Sequence, residues 1–114
     1  MAAVYVSNLI VNSGADFNQS FTLDSANTNS PFDLTGYTVE SQMRKWSGSS
    51  TATSFTSTIA SPPTSGEILL RLTSTQTTSL KPGRYVYDVI ITDTSGVKSR
   101  VIEGMILVTE GVTR

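Results

Sequence analysis

The chain has 114 residues and a mass of 12.2 kDa, the size of one domain. It contains neither cysteine nor histidine, which excludes disulfides, thiolate metal sites and every nucleophile pair that relies on a histidine base. Eight Lys+Arg against nine Asp+Glu leave a formal charge of −1, with no basic excess for nucleic acid, and 17 Ser with 17 Thr supply most of the polarity.

The N-terminal residues Met1-Ala2-Ala3-Val4-Tyr5-Val6 lack the basic start and long apolar run of a secretory signal, so no export by that route is expected. The longest apolar runs, such as Ile68-Leu69-Leu70, fall far short of a membrane span, and no membrane partner is expected. Strands are predicted near 3–11, 15–23, 37–46, 53–60, 67–73, 84–93 and 98–108. They are punctuated by Ser13-Gly14, Thr35-Gly36, Ser47-Gly48, Ser65-Gly66, Pro82-Gly83 and Ser95-Gly96. About seven short strands with frequent turns predict an all-β, immunoglobulin-like antiparallel β-sandwich spanning residues 1–114 as a single domain.

Alternation at period 2 supports the strands. Phe17, Phe21 and Leu23 share one face; so do Tyr37, Val39 and Met43, with Thr38, Glu40, Gln42 and Arg44 opposite. The predicted core is Phe17, Phe21, Tyr37, Val39, Met43, Leu70, Leu72, Tyr85, Val89 and Ile91. Residues 24–33 read as a polar loop and 47–54 as a flexible connection after Trp46. Ser74 is placed to cap a single helical turn, which Pro82-Gly83 would close.

The segment from Gly83 to Val108 reads as a hairpin. A three-residue loop, 94–96, puts Gly96 in the left-handed conformation and sets Asp93 opposite Val97 and Val89 opposite Val101. A two-residue loop would oppose Asp88 to Glu103, and directly opposed like charges are unfavourable. The three-residue register places Tyr85, Tyr87, Val89, Ile91, Val101 and Met105 on one face. Arg84, Val86, Asp88, Ile90, Arg100, Ile102 and Ile106 lie on the other. Both faces are then partly apolar, whereas a sandwich strand normally has one wet face. Either a loop or the N-terminal strand near 3–11 folds over the second face as a lid, or that face docks on another protein chain. In this register Glu103 points inward beside Tyr87 unless a bulge at Glu103-Gly104 turns it out.

Catalytic constellations are absent. Asp88 and Asp93, five apart on one strand, point to opposite faces and form no acid/base pair. Asp24, Asn27 and Asn29 alternate as in part of a calcium loop, but the sixth-position glycine and terminal glutamate are missing, so no metal is expected. Pro82-Gly83-Arg84 is a turn entering a strand and not a phosphate cradle, and no cofactor is expected. Asn18-Gln19-Ser20 matches a glycosylation sequon, a tripeptide common by chance. Trp46, at a strand end, reads as a core-edge residue or a second candidate contact anchor.

Asp33-Leu34-Thr35-Gly36-Tyr37-Thr38-Val39 with Gln42-Met43-Arg44-Lys45, then Gly66-Glu67-Ile68-Leu69-Leu70-Arg71-Leu72-Thr73, carry a resemblance, together with Gly83-Arg84-Tyr85-Val86-Tyr87-Asp88 and Arg100-Val101-Ile102-Glu103-Gly104. The chain resembles small virion structural proteins of tailed, T4-like cyanophage-type bacteriophages, and is similar to the N-terminal Ig-like domain of phage baseplate upper proteins. Those proteins continue into a helical or fibre-forming segment, whereas this sequence runs to Arg114. The resemblance implies a non-enzymatic docking module on the tail, baseplate or neck of a virion, with other virion proteins as partners and homo-oligomerisation as a further option. The alternatives are a capsid decoration protein bound to the major capsid protein, and a carbohydrate- or receptor-binding module using Trp46 and Tyr37.

Overall fold

A computed structural model describes residues 5–24 and 31–112. The alternation read from the sequence becomes strand. In Glu67–Leu72, Ile68, Leu70 and Leu72 are buried on one side while Arg71 faces solvent. The chain order is β1 (Tyr5–Val6), β2 (Leu9–Asn12), β3 (Phe17–Thr22), β4 (Thr38–Arg44), β5 (Ala52–Ser54), β6 (Thr56–Ile59), β7 (Glu67–Leu72), α1 (Ser74–Thr78), β8 (Gly83–Thr92) and β9 (Lys98–Thr109).

These strands form two layers. One sheet runs β1-β9-β8-β4-β5, with β2 also paired to β9; the other runs β3-β7-β6. β1 and β2 are one edge segment interrupted at Ser7-Asn8. β5 and β6 are one segment that changes sheets at Phe55, so seven chain segments make the sandwich. This is the all-β, immunoglobulin-like arrangement expected, with one departure: the first segment runs parallel, not antiparallel, to β9.

Phe55 sits at the crossover, 6% exposed, with its ring 5.9 Å from that of Phe17 and 6.3 Å from that of Tyr87. Between the layers lie Val11, Leu23, Leu34, Met43, Ile68, Leu70, Val89, Ile91, Val101, Ile102, Ile106 and Val108, all fully buried. Of the predicted core, Met43, Leu70, Leu72, Val89 and Ile91 are buried. Phe17, Phe21, Tyr37, Val39 and Tyr85 pack partly buried against them.

The predicted helical turn exists, but Thr73 caps it, not Ser74. The Thr73 hydroxyl accepts from the Gln76 N–H, and the Gln76 side chain accepts from the Thr73 N–H, a reciprocal capping box. It ends at Ser79, before Pro82. Thr77, wholly buried, ties this turn to the β2–β3 connection: its hydroxyl accepts from Gly14 N–H and donates to the Ala15 carbonyl. The connection after Trp46 is shorter than predicted, because Ala52, Thr53 and Ser54 already pair with β4. Asn27 and Asn29 of the calcium-like pattern lie outside the described residues, and the described residues hold no group of three His, Cys, Asp or Glu able to hold a metal.

Candidate protein-contact face

The geometry of the candidate face is set by the β8–β9 hairpin. Its loop is the expected one. Gly96 has φ +86°, the Asp93 carboxylate accepts from the N–H groups of Ser95 and Val97 at 2.8 and 2.9 Å, and Asp93 N–H donates to the Val97 carbonyl. Thr92 then pairs with Lys98, Ile91 with Ser99 and Ile90 with Arg100.

At the next step the register shifts. Val89 pairs with Ile102, leaving Val101 unpaired as a bulge, and every later residue of β9 changes parity. The bulge therefore lies at Val101 and not at Glu103-Gly104. Val101 and Ile102 both turn inward and are fully buried, followed by Ile106 and Val108. Ile102 and Ile106, expected on the contact face, are thus core residues. Met105, expected inside, is 47% exposed. Asp88 does stand opposite Glu103, the pairing rejected on charge grounds. Arg100 makes it tolerable: its Nε lies 3.4 Å from Asp88 Oδ2 and its Nη1 3.9 Å from Glu103 Oε2.

The edge segment β1–β2 is not a lid. Gly104 fixes it beside β9. An ideal Cβ on Gly104 would stand 2.1 Å from the Ser7 carbonyl oxygen, so only glycine admits the Ser7 backbone there. The Tyr87 hydroxyl donates to that oxygen at 2.6 Å, Ser7 N–H donates to the Glu103 carbonyl, and the Asn8 side-chain carbonyl accepts from Met105 N–H. Burial pushes the Tyr87 phenol up to about 12.

The outer face of the larger sheet is consequently open. Of the residues expected there, Arg84, Val86, Asp88, Ile90 and Arg100 are on it, and Trp46, 61% exposed, stands at the rim past the end of β4. Val6, Gln42, Arg44, Glu103 and Met105 complete the groove. Beside it, Ile10 and Leu107 pair directly and are both exposed. The charges are solvated. Besides the Arg100 cluster, Lys98 Nζ lies 3.4 Å from Glu40 Oε1, and Arg44 donates to the Ser49 carbonyl and to Gln42 Oε1. Glu103 and Met105 escaped the sequence reading because their placement depends on the bulge. Gly104 was the available signal of a close backbone approach.

No family model matches the sequence, and no curated protein matches it. Among solved structures it is similar to the SrpA adhesin of Streptococcus sanguinis, solved as an R347E mutant, with TM-score 0.52 and 13% identity over 90% of this chain. The chain spans about half, 54%, of that adhesin structure. An internalin-like protein of Listeria monocytogenes is similar at TM-score 0.45 and 17% identity, over 95% of this chain and 28% of the other. The first likeness is one of fold.

Proposed function

We propose that this protein is a non-enzymatic structural component of a tailed-phage virion, an Ig-like docking module on the tail, baseplate or neck that engages a neighbouring protein through its outer sheet face. The observation that carries the reading is that face itself: Val86 and Ile90, half-buried, and Met105, exposed, lie on the outer side of paired strands where a sandwich normally presents polar groups. The motif resemblance to phage virion proteins supplies the setting. Aliphatic burial, at about 25 cal/mol per Å², would give most of the affinity, and Arg84 and Arg100 would orient the contact.

The test is Ile90→Asp. The isolated domain keeps its thermal transition, and the variant chain disappears from purified particles while the wild-type chain is found there by mass spectrometry. Normal incorporation of the variant, or absence of the wild-type chain from particles, overturns the proposal. Hundreds of copies per particle would move the assignment to capsid decoration. The exposed Trp46 favours one second reading, a carbohydrate-binding module: polysaccharide binding lost in Trp46→Ala but kept in Ile90→Asp would establish it.

A further inference from the structure

The strand registers fix how the charges of the outer face are laid out. Across β4, β8 and β9, one row reads Glu40, Ile90, Arg100, the next Gln42, Asp88, Glu103, and the next Arg44, Val86, Met105. Glu40 and Arg100 are not partners within the chain. Ile90 stands between them, about 10 Å of sheet separates their strands, and each is engaged elsewhere, Glu40 with Lys98 and Arg100 with Asp88.

Turning the face over about an axis along β8 lays β4 of one copy on β9 of another. Glu40 then covers Arg100 of the second copy, and Gln42 covers its Glu103. Ile90 and Val86 meet their own counterparts on the axis. Trp46, past the end of β4, comes onto the exposed Leu107. Each polar contact occurs twice, as two-fold symmetry requires. Asp88 meets its counterpart on the axis, each held by its own Arg100; Arg84 also meets its counterpart, in the row of the two Trp46–Leu107 contacts, a like-charge meeting that weakens the association.

We propose that the occupant of the outer sheet face is a second copy of this chain, packed face to face about a two-fold axis parallel to β8, with Glu40 of each copy paired to Arg100 of the other. This rests on the docking role proposed above and names its partner. Area agrees with the assignment. With β8 on β8, the seven residues of β4 on β9 and the three of β5 on β1–β2, strands about 4.8 Å apart rising about 3.4 Å per residue offer roughly 500 Å² per copy, or about 1,000 Å² in total, the low end for a specific interface and the size of a weak, concentration-dependent one. Sheets packed in aligned fashion keep their strands within about 30°, so the central rows stay in register.

Sedimentation equilibrium on the full chain tests this through charge reversal. Wild type forms a concentration-dependent dimer. Glu40→Arg and Arg100→Glu, each reversing two contacts at once, weaken it on the order of 100-fold. Mixing the two variants restores dimerisation as a heterodimer, since each reversed residue then meets an opposite charge. Thermal melts check that both variants fold, as their exposed side chains lead one to expect. Trp46 gives an independent readout as the only tryptophan: its emission shifts to the red on dilution of wild type and does not change in Ile90→Asp. A wild-type chain that stays monomeric at millimolar concentration overturns the proposal; so does a dimer unaffected by either reversal, or a mixture of folded variants that fails to associate. A monomeric wild type whose Ile90→Asp variant still drops out of particles leaves the docking role standing and removes only the second copy. Dimerisation with normal incorporation of Ile90→Asp does the reverse.

Discussion

Replacing Gly104 with alanine should be among the most damaging single changes of one methyl group. The new Cβ would stand 2.1 Å from the Ser7 carbonyl oxygen and 2.8 Å from its carbon. The obstacle is backbone, so no rotamer relieves it, and Ser7 must retreat by more than about 1 Å to reach ordinary contact distance. That retreat breaks the Ser7 N–H bond to the Glu103 carbonyl and the Tyr87 hydroxyl bond to Ser7, and it strains the Asn8 contact with Met105 N–H. Two hydrogen bonds at about 1 kcal/mol net each, plus about 1–3 kcal/mol for a buried hydroxyl without a partner, give a loss of roughly 3–5 kcal/mol. With an unfolding entropy of about 2.1 cal/mol/K per residue, the 114-residue chain would melt about 12–20 °C lower. Calorimetry on Gly104→Ala, Tyr87→Phe and the double variant measures both the size and the coupling. Tyr87→Phe alone should cost about 1–2 kcal/mol and almost nothing once Gly104 is alanine. A Gly104→Ala loss below about 1 kcal/mol, or costs that add to within about 0.5 kcal/mol, would refute the role given to Ser7.

The bulge predicts a contrast on β9: Ile102→Ala should cost about 2–5 kcal/mol in urea unfolding and Met105→Ala less than about 0.5, and equal losses would put the extra residue elsewhere. Gly96→Ala should cost only the left-handed strain, about 1–2 kcal/mol by thermal melt, because nothing lies within 4 Å of the added Cβ; no loss at all would contradict the positive φ. The Tyr87 phenol titrates near 12 in the folded protein against 10 for the ordinary side chain, so its contribution is complete below pH 10 and is lost as pH rises through 12. Urea midpoints should fall over that window, and the fall should be shallower in Tyr87→Phe; an equal fall in both would assign it to other groups.

The sequence made the layers legible because they are written at period 2. The alternation of Ile68, Leu70 and Leu72 and of Met43 against Gln42 and Arg44 needs no tertiary information. The Asp93-to-Gly96 turn was equally local. What local pattern could not show was the parity change at Val101. The run from Val101 to Ile102 is apolar at successive positions and fits either phase, and only the ladder with β8 selects one. The charge rule against opposing Asp88 to Glu103 was sound for an isolated pair. It failed because Arg100, two residues before the ladder resumes at Ile102, lies across both carboxylates. The parallel docking of β1–β2 depends on residues almost a hundred positions away, and its only local trace was Gly104. Arg84, Val86, Asp88, Ile90 and Arg100 lie on the face the sequence assigned them because they precede the bulge or lie off β9, whereas Trp46, open to either a core-edge or a contact reading, stands exposed.

The parallel alignment of the first and last strands has a mechanical consequence. Because β1–β2 and β9 run in the same direction, the chain enters the sandwich near one end and leaves near the other. A tension applied through Tyr5 and Thr109 pulls these neighbours lengthwise past each other. Six paired positions, from Tyr5 with Ile102 to Asn12 with Thr109, are then loaded together and not peeled one after another. The Ser7 backbone seated against Gly104 and Tyr87 acts as a notch against that sliding. Under load, such a domain should resist extension up to a single abrupt yield, and Gly104→Ala should lower the yield force by more than its effect on the melting temperature alone would suggest.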